Sequence, residues 1–82
     1  MKKEEIYNIL NKIFRDIFDD DELEVTAATT SGDIEDWDSL EHINLVTSIE
    51  NEFRIKFTMA QVTGMKDVGE MVDIIYDLVS GR

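Results

Sequence analysis

The segment DSLEHINLVTSIENEF, residues 38–53, decides how the chain folds. Its apolar positions follow a helical period: His42, Leu45, Val46, Ile49 and Phe53 fall at i, i+3, i+4, i+7 and i+11 and make one core-facing stripe. The segment also announces its own beginning. Asp38 can accept from the first free backbone N–H groups while Glu41, three residues on, reaches back, a D-x-x-E form of the capping box. Ser39 then stands in the first helical turn. At about 100° per residue, Leu40, Ile43 and Thr47 gather on the side opposite the core stripe. Glu41, Asn44, Ser48, Glu50 and Asn51 surround them. A small apolar ridge with a polar, partly acidic rim has the anatomy of a modest docking surface. Leu40 and Ile43 could equally tuck beneath a neighbouring loop as a satellite of the core.

Upstream, Ile6, Ile9, Leu10, Ile13 and Ile17 recur at spacings of three and four, which predicts a first amphipathic helix over residues 3–18. Asp19, Asp20 and Asp21 would oppose the negative end of its dipole and so stop it. A long loop then runs to about Asp38, with Leu23, Val25, Ile34 and Trp37 as candidate anchors; loops of this length in small domains are commonly functional or disordered. Downstream, Thr58-Met59-Ala60-Gln61 is a second capping box that starts a short helix, and Gly64 ends it. Asp67 and Glu70 form a third cap pair, ahead of Val68, Met71, Val72, Ile75, Leu78 and Val79 at helical spacing. Ser80-Gly81 closes that last helix. Phe53 to Phe57 alternates briefly and could run extended, but no hairpin signal accompanies it. The expected fold is all-α: a single domain over 1–82, a small four-helix bundle with three main amphipathic helices, one short helix and a long loop after the first.

Composition narrows the function. The 82 residues carry 8 basic and 19 acidic side chains, a net charge of −11. That balance repels nucleic acid and anionic membranes and favours partners with basic surfaces. Ten carboxylates and no lysine or arginine lie between Asp19 and Glu41, leading directly into Ser39. Cysteine is absent, so any thiol chemistry must come from an added group. The charged N-terminus and the lack of a membrane-length apolar run suit a cytoplasmic protein, and the excess charge suits a monomer. The carboxylates do not follow the ligand spacing of an EF-hand loop, and no metal site is expected. A hydrolase is a poor fit, because the one histidine, His42, points toward the core stripe and no catalytic residue is expected.

On local chemistry alone Ser39 is an ordinary helix-start serine, although free N–H groups and the positive dipole end would favour a phosphate there. A wider pattern gives it a role. Asp33-Ile34-Glu35-Asp36-Trp37-Asp38-Ser39-Leu40-Glu41-His42-Ile43, followed by Ile49-Glu50-Asn51-Glu52-Phe53-Arg54-Ile55-Lys56-Phe57, resembles the attachment region of acyl and peptidyl carrier proteins. With the first and last helices, the resemblance spans nearly the whole chain. It implies a discrete carrier in which Ser39 receives 4′-phosphopantetheine from coenzyme A through a phosphopantetheinyl transferase. The arm's terminal thiol would then hold an acyl or aminoacyl group as a thioester.

By the same resemblance Asp38 serves the transferase step and its magnesium, while Leu40, Glu41, Ile43, Asn44, Thr47 and Glu50 lie on the face that meets acyl-loading, acyl-transfer and condensing enzymes. Asn44 and Asn51 stand where carriers of fatty acid synthesis often have glutamate, and Thr47 replaces a larger apolar residue. With Trp37, His42 and Asp36, these departures suggest a specialised lipid, polyketide, peptide or cell-envelope pathway. The competing reading is a non-covalent acidic helical adaptor that binds partners through the second helix, with Ser39 unmodified.

Overall fold

A computed structural model describes residues 1–81. The chain forms α1 (Lys3–Phe18), α2 (Ser39–Phe53), α3 (Met59–Gly64) and α4 (Val68–Ser80), and no strand occurs among the described residues. Helix α1 packs on both α2 and α4, inside an envelope of 33 × 25 × 22 Å.

Each main helix gives one stripe to a shared core. From α1 come Ile6, Leu10 and Phe14; from α2, Leu45, Ile49 and Phe53; from α4, Val68, Met71, Val72 and Ile75. Each such side chain contributes roughly 1.5–3 kcal/mol when fully buried. The α1 stripe is centred differently from its isoleucine pattern, because Phe14 is fully buried while Ile9, Ile13 and Ile17 are only partly covered at its flank. Phe14 takes the centre because it meets Trp37 edge-on, with ring centroids 5.3 Å apart and planes at 82°.

Two helix ends are made by residues other than glycine. Asp19 and Arg54 adopt left-handed geometry, with φ 50° and 57°, and each sends its N–H to the carbonyl four residues back. Aspartate visits that region with local support, whereas arginine there carries strain. Gly64 does not act this way. It ends α3 with negative φ, and the chain turns out at Met65. The inward–outward alternation does occur, with Phe53 and Ile55 buried and Arg54 and Lys56 exposed, but it spans the left-handed end of α2 and the coil after it and not a strand.

The long loop is fastened to the bundle at several points. Val25, Ile34 and Trp37 are buried as anchors and Leu23 is half-buried. The Asn11 side-chain oxygen, buried on α1, accepts from the Val25 N–H at 2.7 Å, and the Arg15 Nε–H donates to the Leu23 carbonyl at 2.6 Å. At the loop's far side the N–H groups of Val68 and Gly69 donate to the carbonyls of Thr29 and Ala27, at 2.9 and 3.0 Å. A Cβ on Gly69 would lie 3.0 Å from that Ala27 oxygen, tighter than ordinary contact, so a side chain at residue 69 would press the loop back by a few tenths of an ångström. On the exposed surface Lys3 bridges to Asp73 at 2.9 Å, and that hydrogen bond, then the charge, raises the ammonium pKa above its ordinary 10.5.

Candidate functional site

The start of α2 is an open corner. Asp38 has extended backbone and its Oδ1 accepts from the Glu41 N–H at 2.9 Å, as the cap pattern predicts. The reciprocal half of the box does not form. Glu41 turns forward along the helix, and its Oε1 accepts from the Asn44 amide at 2.8 Å, a local i to i+3 pair that competes with the reach back. The pair at α4 departs in a similar way: Asp67 accepts from the Glu70 N–H, but Glu70 accepts from the Lys66 N–H, one residue before the cap. Of the three cap pairs the sequence predicts, Thr58 and Gln61 at α3 alone close the full reciprocal box.

Ser39 lies in the first turn of α2 and is exposed. Its N–H and that of Leu40 have no partner among the described residues, since the Asp38 carboxylate takes the N–H of Glu41 and the Asp38 carbonyl takes that of His42 at 2.8 Å. Two free donors and the positive helix end sit beside a reachable hydroxyl. The corner thus fits a phosphodiester on Ser39 Oγ.

The docking-face residues divide by environment. Leu40 and Ile43 are 66% and 58% exposed, so they do not tuck under the loop. Asn44 and Thr47 are also exposed. Glu41 and Glu50 are half-buried and engaged: Glu41 by Asn44, and Glu50 through Oε2 by the Phe57 N–H at 2.8 Å. Glu50 therefore steadies the turn after α2 with one oxygen.

Beside Ser39 a groove of about 740 Å³ opens between α2 and α3. Ile43, Val46, Met59, Val62 and Met65 make its apolar lining. Val46 is buried yet stands apart from the main core, because it forms the base of this groove. Several polar neighbours are already satisfied: Thr63 donates to the Met59 carbonyl at 3.0 Å, and Glu50 receives Phe57. Lys66 brings a cation to the lining.

His42 does not join the core stripe. It is half-buried, 3.1 Å from the Trp37 indole nitrogen and 3.0 Å from the Val62 carbonyl. Trp37, stacked on its ring and wedged against Phe14 and Phe18, already fills the core at this level, so the imidazole faces α3. The α3 wall is the part of the site that sequence reasoning leaves out. Its signal was the spacing of Met59, Val62 and Met65 at every third residue, with Met59 76% exposed in the structure. No group of three or more potential metal-ligating side chains clusters among the described residues.

Fold and corner together give a small helical bundle with an exposed hydroxyl at an open helix start beside an apolar groove. No protein-family profile matches the chain. It is 32% identical over 75 residues to the acyl carrier protein of Coprothermobacter proteolyticus, an alignment covering 92% of each chain. The solution structure of holo acyl carrier protein from Geobacter metallireducens superposes with a TM-score of 0.85 at 38% identity, covering 90% of this chain and 85% of that one. The chain belongs to the acyl carrier protein family. Proteins of this family are carriers rather than enzymes, and they work with a covalently attached 4′-phosphopantetheine.

Proposed function

We propose that Ser39 is the attachment point of 4′-phosphopantetheine and that the protein holds an acyl or aminoacyl group there for a succession of biosynthetic enzymes. The observation that carries this reading is the open start of α2, where an exposed hydroxyl and two unpartnered N–H groups occupy one turn. In the loading step Ser39 Oγ bonds to the pantetheine-side phosphorus of coenzyme A as the pyrophosphate P–O bond breaks. The adenosine bisphosphate half leaves, and the hydroxyl proton passes to a base on the transferase. Asp38, exposed and adjacent, would help place the transferase's magnesium while still capping the helix.

When attached, the arm supplies the thiol that this cysteine-free chain lacks, and it keeps the thioester at high effective concentration near each docked enzyme. Docking falls to Leu40, Ile43 and Thr47, with Glu41, Asn44 and Glu50 at the rim. The net charge of −11 draws in basic partner surfaces, quickening encounter more than it tightens the complex. Asn44 lies exposed on that face, Asn51 is exposed farther along α2, and both are neutral. Glu41 and Glu50 are each held by a hydrogen bond. Neutral amides at Asn44 and Asn51, where carriers of fatty acid synthesis often have glutamate, support a specialised pathway over general fatty acid synthesis.

The test is intact mass before and after incubation of unmodified protein with coenzyme A, magnesium and a permissive transferase, with Ser39→Ala alongside. A gain of one phosphopantetheine by the parent chain alone supports the assignment. No gain by folded, unmodified parent chain with several transferases would leave a non-covalent adaptor.

A further inference from the structure

His42 is gripped from both sides by elements other than its own helix. The Trp37 indole N–H, at the end of the long loop, donates to Nδ1 at 3.1 Å, and Nε2 lies 3.0 Å from the Val62 carbonyl of α3. An indole nitrogen can only donate and a carbonyl oxygen can only accept. These partners fix one form of the ring: neutral, with the lone pair on Nδ1 and the hydrogen on Nε2. A proton added at Nδ1 would set two donors against each other across 3.1 Å. Trp37 is only 9% exposed, so its displaced N–H would have little access to water in place of the lost acceptor.

Little else holds α3. None of its residues is buried, its capping box joins Thr58 to Gln61 within the same element, and the Thr63 hydroxyl turns back on Met59. Segments with few buried contacts open first. Yet α3 supplies one wall of the groove through Met59 and Val62, and His42 joins that wall to α2.

We propose that His42 is a proton-sensitive latch on the groove: its neutral form holds Trp37 and α3 against α2, and protonation at Nδ1 releases α3 and opens the groove beside Ser39. The charged groups on the elements packed around it are Asp38 at the cap of α2, Glu41 on α2, Glu35 and Asp36 just before Trp37 in the loop sequence, and Glu50 and Lys66 along the same groove. Helix α3 contributes none.

The latch acts on unmodified protein and can be tested apart from Ser39 loading. Ring ¹⁵N shifts of His42, the Trp37 indole N–H signal and the backbone amides of residues 59–64 are followed by NMR as the pH is lowered, in the parent chain and in His42→Gln. Glutamine can accept from Trp37 and donate to Val62 but takes up no proton. The expected result is a neutral ring with its hydrogen on Nε2 at the start, then movement of ring, indole and α3 signals with one common midpoint, and no such transition in the glutamine variant. Titration of the ring while the indole and α3 stay in place would overturn the proposal. So would the same α3 transition in His42→Gln, which would assign it to the surrounding carboxylates. Should the variant fail to fold, the presence or absence of a common midpoint in the parent chain decides.

Discussion

Helices α2 and α4 begin with the same D-x-x-E signal and end up with opposite surroundings. At α4 the loop closes the helix start: Val68 and Gly69 give their N–H groups to the carbonyls of Thr29 and Ala27, and Val68 is fully buried. At α2 the equivalent residues are Ser39 and Leu40, both exposed and both with unpartnered N–H groups. The cap residue alone does not make an anion site. What distinguishes α2 is that none of the described residues fills its start, and that is where we propose the phosphate-bearing arm is attached.

The largest expected effect comes from the residue beneath the open corner. Trp37→Ala removes a buried ring that packs on Phe14, Phe18 and His42, at a cost of about 3–5 kcal/mol. Urea denaturation should show a loss large enough to leave the domain marginal, and a loss below about 1 kcal/mol would mean the corner does not rest on Trp37. Next is the closed end, where Gly69→Val forces a side chain onto Ala27 and should cost about 1–3 kcal/mol and loosen residues 26–30 in hydrogen exchange. Unchanged protection there would show that the seal on α4 is not made by this approach.

The two caps sharpen the contrast further. Asp38→Ala and Asp67→Ala each lose a side-chain acceptor worth about 1 kcal/mol. Their stabilities should fall together, while only Asp38→Ala slows transferase loading; equal loading rates would remove Asp38 from that step. Smallest in stability is Ile43→Ala, which should stay within about 0.5 kcal/mol of the parent because its side chain is 58% exposed. Surface binding to a cognate acyl-transfer enzyme should weaken all the same, and undiminished affinity would move docking elsewhere.

Much of this was legible in the chain itself. Helical period and cap residues placed all four helices, and the α2 projection brought out Leu40 and Ile43 as a face without a core partner, which the structure leaves exposed. The loop anchors Val25, Ile34 and Trp37 were equally plain, as isolated apolar residues in a polar run. What stayed hidden depends on pairs distant in sequence. Asn11 looks like a solvated residue on a helix until the loop brings the Val25 N–H to it. Gly69 looks like a weak spot in α4 until the Ala27 carbonyl arrives. His42 fits the core period, and only the volume of Trp37 turns it toward α3 and makes it part of the groove wall. The reciprocal capping boxes of α2 and α4 failed for a similar reason, since the period cannot tell whether a glutamate will prefer the cap, Asn44 or the Lys66 N–H.

The most direct test of the difference between the two helix starts is site localisation: the parent protein is loaded from coenzyme A, digested, and its peptides fragmented to find the residue that bears phosphopantetheine. The account predicts the arm on Ser39 alone. An arm on Ser31, Ser48, Ser80 or any threonine, with Ser39 unmodified, would contradict it.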